Sequence, residues 1–196
     1  MIRRRLVVLA VAGFSIVHWG SVASAQATHV QWDIISVSGV PPSWFPGGIA
    51  SAAANDGSMI TMTGTGTFVA PAGGAGSNSG ATGGGAWETF GPGGGSTGSG
   101  TYWVTGLVRW HVAPGLPPPP SDNIGDPAER SAGLVVLRIE YSDGSRGVLV
   151  VSCRLVGSPA SMPEGISATK GFVDYFAVLP PVPGVDANRT LFHVRQ

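Results

Sequence analysis

Few side chains in this sequence have both the type and the spacing for chemistry. Metal ligation usually needs clustered donors, often two histidines at a short fixed spacing. The chain has no H-x-H and no H-E-x-x-H string. His29, His111 and His193 lie far apart, so they meet only if neighbouring strands bring them together. No metal site and no cofactor is specified. Acid–base work would require His111 or His193 within hydrogen-bond reach of Asp33, Glu88 or Asp174 in a pocket. Cys153 is the single cysteine and has no disulfide partner within the chain. Lys170, the only lysine, follows the Met162–Gly165 turn between Glu164 and Asp174. Nothing near it in sequence would depress its pKa, so it reads as a surface lysine rather than a nucleophile.

Two motif-like strings fall in one glycine tract. Gly94-Gly95-Ser96-Thr97-Gly98 fits G-x-S-x-G, and Gly93 to Gly98 fits G-x-G-x-x-G. The first works by raising a serine on a strand-to-helix turn. The second needs a helix N-terminus to hold a pyrophosphate. Neither context is present, and with 31 glycines in 196 residues both matches are compositional. Thr61, Thr63, Thr65 and Thr67 alternate along one run. A water-ordering surface would need matching rows on adjacent strands, so this row reads as a solvated strand face. Asn188-Arg189-Thr190 fits the N-glycosylation string.

Aromatic residues give the best binding signal. Trp103 is expected on an outward face with Arg109 and His111, and Trp87 lies beside Glu88 in a glycine-rich setting. Trp44 and Phe45 sit in a proline-rich turn. Exposed aromatics beside polar groups suit small-molecule, glycan or amphipathic ligands. Trp87, Trp103, Arg109 and His111 are therefore the expected binding residues.

These residues must be positioned by a chain of 196 residues with 11 Lys+Arg and 11 Asp+Glu. Charged residues make up 11%, against about 25% in an ordinary soluble domain. Without a basic stripe there is no expectation of a nucleic-acid partner. Met1–Ala25 reads as a cleaved secretory signal: Arg3, Arg4 and Arg5, an apolar stretch from Leu6 to Val17, then Ala23-Ser24-Ala25. The apolar stretch is shorter than the roughly 20 residues that span a bilayer. Cleavage before Gln26 would send residues 26–196 out of the cell or into a periplasm as one domain. No integral span is expected in that mature chain. It has 171 residues (196 less 25) and a net charge of −3, from 8 basic and 11 acidic residues.

Period-two alternation dominates the mature chain. It recurs at His29–Val37, Met59–Val69, Thr101–Val112, Gly133–Tyr141, Ser145–Val156 and Thr190–Val194, and more weakly at Ala81–Phe90 and Gly171–Val178. No window carries a helical stripe. The expected fold is an all-β antiparallel barrel or sandwich of about eight strands with long Gly/Pro-rich loops. Pro71–Gly85 and Gly91–Gly100 read as flexible segments, and Ala113–Arg130 as a long loop containing Pro117–Pro120.

One hairpin is specified in detail. A three-residue loop, Ser142-Asp143-Gly144, with Gly144 in a left-handed bulge, pairs Tyr141 with Ser145. Leu137 then faces Leu149, Val135 faces Val151, and Glu140 sits opposite Arg146. A two-residue loop would mix the apolar and charged faces. The chosen register places Cys153 on the inward face as a small hydrophobe. In the strand from Thr101, the expected inward set is Tyr102, Val104, Val108, Trp110 and Val112, with Gly106 among them marking a kink or close packing.

The function expected from these features is non-catalytic binding of a small or extended ligand by an exported β-barrel or sandwich. The alternatives are a motif-less, cofactor-independent isomerase or hydrolase and a structural cell-surface or matrix protein. An outer-membrane barrel would need apolar bands and aromatic girdles, which the Arg138/Glu140 face and the threonine row do not provide.

Overall fold

The structure is a computed structural model and describes residues 27–70, 80–116, 121–182 and 186–195. The expected leader, residues 71–79 of the expected Pro71–Gly85 segment and Pro117–Pro120 lie outside the described residues. Thirteen strands are present among those described. They are β1 (Thr28–Ser38), β2 (Ser43–Pro46), β3 (Ala50–Ala53), β4 (Met59–Met62), β5 (Thr65–Ala70), β6 (Thr82–Phe90) and β7 (Ser96–Ala113). The series continues with β8 (Arg130–Tyr141), β9 (Arg146–Cys153), β10 (Gly165–Lys170), β11 (Val173–Tyr175), β12 (Ala177–Val178) and β13 (Arg189–Arg195). A 3₁₀ turn at Pro127–Glu129 precedes β8, its cap made by Asp126, whose carboxylate accepts the Ala128 N–H at 2.8 Å.

Strands β1, β5, β6, β7, β8 and β13 close into an antiparallel six-stranded barrel, and the other seven extend the sheet. Pairing runs β1–β5–β6–β7–β8–β13 and back to β1, and the sheet extends beyond this ring because three strands each serve two partners along one edge. β1 pairs with β5 and then β2, β6 with β5 and then β4, and β8 with β13 and then β9.

The barrel interior is filled. Trp32 and Phe192 are cross-strand partners, as are Val30 and Phe68. Trp110 meets Phe68 and Phe192 edge-on, with ring centroids 5.2 and 4.7 Å apart. Such T-shaped pairs stabilise beyond the area they bury, by about 0.5–1.5 kcal/mol each. The same core continues through Trp87, Tyr102 and Tyr141 to Leu149 and Ile166 on the flanking strands.

The expected all-β antiparallel class is correct, and the strand count is higher than about eight for local reasons. The run expected from Met59 to Val69 breaks at Thr63-Gly64, where the Tyr102 hydroxyl donates to the Thr63 carbonyl at 2.8 Å. A Cβ at Gly64 would press on the Trp32 indole and collide with that hydroxyl. Gly171–Val178 divides into β11 and β12. β2, β3 and β10 have little β-branched alternation, so pattern alone did not reveal them.

The described glycine segments differ from expectation in part. Thr82–Gly85 belongs to β6 and Ser96–Gly100 to β7, because their missing side chains leave room for the neighbouring strand backbones and for tryptophan. A Cβ at Gly66 would lie 2.7 Å from Trp32 Nε1, and one at Gly83 2.9 Å from Trp32 Cζ2. Gly83 also has φ +123°, a conformation open to glycine. On β7, Gly98 and Gly100 lie beneath the Trp87 indole.

The β8–β9 hairpin has the expected three-residue loop. Tyr141 N–H donates to the Ser145 carbonyl at 2.9 Å, Gly144 has φ +84°, and Leu137, Val135 and Glu140 pair with Leu149, Val151 and Arg146. Arg146 Nε lies 3.5 Å from Glu140 Oε2. Cys153 is buried in the core, and burial pushes its thiol pKa up. The β7 faces need correction. Bulges between Val104 and Gly106 and between Leu107 and Arg109 shift the alternation twice. Leu107 therefore turns into the core and Val108 turns out, while Val112 is also exposed.

Candidate functional site

The edge of β8 passes from β13, paired at Arg130 and Ser131, to β9, paired from Gly133 onward. Beside this handover, at one end of the barrel, lies a cleft of about 630 Å³. That size falls within the usual range for small-molecule sites. Ile35, Val37 and Trp44 form one wall, and Leu155 and Val156 form another. Arg154, Glu164, Arg189 and Thr190 supply its polar groups.

Glu164 clamps the two diverging strands. Its Oε1 accepts the Thr190 N–H of β13 at 2.9 Å, and its Oε2 accepts the N–H of Arg154, just after β9. Nearby, Thr190 Oγ1 donates to the Ser152 carbonyl at 2.7 Å. Burial pushes the Glu164 carboxyl up to about 7, against the opposing pull of the two backbone N–H groups and of Arg189 and Arg154. Among the described residues neither arginine forms an ion pair. Arg154 Nη1 makes a long contact, 3.5 Å, to the Ala160 carbonyl.

The Trp44 wall is held from behind. Trp44 N–H donates to the Ser121 carbonyl, and the Trp44 carbonyl accepts from the Asn123 N–H, each at 3.0 Å. Asp122, between them in sequence, is fully buried at its side chain. Its Oδ1 accepts the N–H groups of Ile124 and Gly125, at 2.9 and 3.3 Å. Its Oδ2 lies 3.1 Å from His193 Nε2 and 3.4 Å from Arg130 Nε. The Arg130 guanidinium lies 5.3 Å from the centroid of the Trp44 ring. Asp33 is buried close by, bonded to Gln31 Nε2 at 2.9 Å, and burial raises its pKa. This cluster fastens residues 121–130 across the outer face of β1 and β13.

The expected binding residues do not assemble. Trp87 is buried, with Nε1 donating to the Thr101 carbonyl at 3.0 Å, so it is not the exposed aromatic expected. Trp103 is 44% exposed and pairs across the strand with Glu140. Arg109 and His111 are exposed and line a shallow cleft of about 770 Å³ with Val108, Val112 and Glu129. Neither Trp87 nor Trp103 lines that cleft. His193 is buried, whereas His29 and His111 are exposed. Among the described residues no group of three or more His, Cys, Asp or Glu is placed to hold a metal ion. No helix among them is long and apolar enough to cross a membrane.

Two further expectations change. Lys170 is not an open surface lysine: its side chain is 14% exposed and pairs with Asp143. Its Nζ also donates to Ser145 Oγ at 3.0 Å and lies 4.2 and 5.0 Å from the ring centroids of Trp87 and Tyr141. Asn188 is buried with φ +42°, and its Oδ1 accepts the Ser51 N–H, so its string is no accessible glycan acceptor in the folded chain. Sequence reasoning missed Asp122, Arg130, Arg154, Glu164 and Arg189 as site residues. The available signal was the Asp122-x-x-Gly125 turn chemistry within a long loop, which marks local hydrogen bonding. Comparison with protein-family models, with curated proteins and with solved structures finds no match to this chain.

Proposed function

We propose that this is an exported, non-catalytic binding protein that holds a small ligand with an apolar body at the end of its barrel. The observation that carries this reading is the cleft beside the β13–β9 handover, walled by Trp44, Ile35, Val37, Leu155 and Val156. Apolar clefts with a few convergent polar groups and a titration-shifted residue are the usual form of ligand sites. The packed aromatic interior leaves the end cleft, rather than the barrel lumen, as the place for a ligand. Export is supported by the basic and apolar run ahead of Gln26. The enzyme alternative has less support, because the close histidine–carboxylate pair, His193 with Asp122, is sealed from solvent at both side chains.

Native mass spectrometry of the protein purified from its own secretory compartment tests the proposal. A reproducible excess over the denatured mass is expected, and Val156→Asp should abolish it by charging the apolar wall. Bare monomers would overturn the binding reading, and bare oligomers would replace it with a structural one.

A further inference from the structure

The charges lining the cleft point to the class of ligand. Arg154 and Arg189 bring two guanidinium groups to an apolar cleft, and neither has an ion-pair partner among the described residues. Glu164, the one carboxylate lining the cleft, has both oxygens engaged by the backbone N–H groups of Thr190 and Arg154. With two guanidinium groups against one carboxylate, the cleft carries an excess of positive charge beside apolar walls. A guanidinium offers a planar fork of donors that fits a carboxylate.

Resting on the binding reading above, we propose that the cleft selects amphiphiles bearing a carboxylate, which pairs with Arg154 and Arg189 while the apolar body lies against Trp44 and Val156. Repulsion from Glu164 does not prevent this, because burial holds its carboxyl up at about 7 and its charge is partial at neutral pH. The ligand occupies the cleft without displacing the clamp between β13 and β9.

Calorimetric titration of the full chain at pH 7 with monomeric decanoate, decanol, decylamine and decyl phosphate separates the cases. Decanoate should bind at least about tenfold more tightly than decanol, the usual scale of a charge-assisted hydrogen bond. Exchanging both arginines for methionine (R154M with R189M) should abolish the preference for decanoate over decanol. Both arginine residues are exposed, and the comparison of wild-type probes stands even if that variant misfolds. Equal binding of decanoate and decanol overturns the carboxylate assignment while leaving the cleft as a binding site. So does tighter binding of decylamine or decyl phosphate. No binding of any probe overturns both readings.

Discussion

Glu164 should make the protein less stable as pH rises through neutrality. Its carboxyl lies at about 7 in the folded chain against an ordinary value of 4.5. The folded state therefore binds this proton more tightly than the unfolded state does, and stability falls wherever the native form holds the extra proton. The contribution is fully present below pH 4.5 and is lost as pH climbs through about 7. A difference of about 2.5 pKa units corresponds to about 3 kcal/mol. Glu164→Gln removes the titration but retains the shape. Its single carbonyl oxygen can satisfy one of the two backbone N–H groups, and leaving the other unpaired costs about 1–3 kcal/mol. The variant should therefore be less stable than wild type at pH 5 and match or exceed it by pH 8. Urea unfolding followed by tryptophan fluorescence at pH 5, 6, 7 and 8 measures this, provided the slope with urea is the same for both proteins. If wild type and variant show parallel pH profiles, the clamp is not the titrating group and the reasoning fails.

Three other perturbations probe the Asp122 cluster, the barrel packing and the β8–β9 hairpin in turn. Asp122→Ala removes a buried carboxylate bonded to His193, Arg130 and two backbone N–H groups. It should cost about 3–5 kcal/mol, as breaking buried pairs does, and amide exchange should speed up across residues 121–130. An unchanged urea midpoint would contradict the latch. Gly66→Ala puts a methyl group against Trp32 and the Thr82 carbonyl. The overpacking should cost at least about 1–3 kcal/mol and weaken near-ultraviolet dichroism, and wild-type stability would refute the packing described around Trp32. Lys170→Met should lower stability by about 1–2 kcal/mol through loss of its contacts with Trp87 and Tyr141. The Asp143 carboxyl, held at about 2 chiefly by its hydrogen bond from Lys170, should return towards the ordinary carboxylate range in a carbon-detected NMR titration. An unmoved Asp143 would show that Lys170 does not hold it.

What was legible in the sequence was information carried by adjacent residues. The β8–β9 hairpin was read to the residue because Tyr141 to Ser145 fixes the loop and the apolar alternation on both sides fixes the register. The inward position of Cys153 followed from that register. On β7 the same reasoning lost phase, because two bulges each add a residue that pairs with nothing, and alternation has no marker for them except Gly106. The glycine tracts hide their strand content for a different reason. Their composition matches that of a flexible linker, and only the neighbouring strand backbones and the indoles of Trp32 and Trp87 packed against them show that the absent side chains are needed for packing.

The candidate site was hidden because long-range pairing builds it. Asp122 meets His193 across 71 positions, and Glu164 reaches Thr190 across 26. Each of these residues looks ordinary where it stands, an aspartate in a loop or a glutamate after Met162-Pro163. Their setting arises only when β8 exchanges one neighbour for another along a single edge. That exchange leaves backbone donors at Thr190 and Arg154 without sheet partners, and a buried N–H without an acceptor is costly. Glu164 meets both needs with one carboxylate, at the expense of taking a charge out of water. The energetic solution to a split sheet thus concentrates a titratable group, two nearby arginines and an apolar wall at one end of the barrel. The carboxylate-binding cleft is therefore proposed at the place where the architecture had already required polar chemistry.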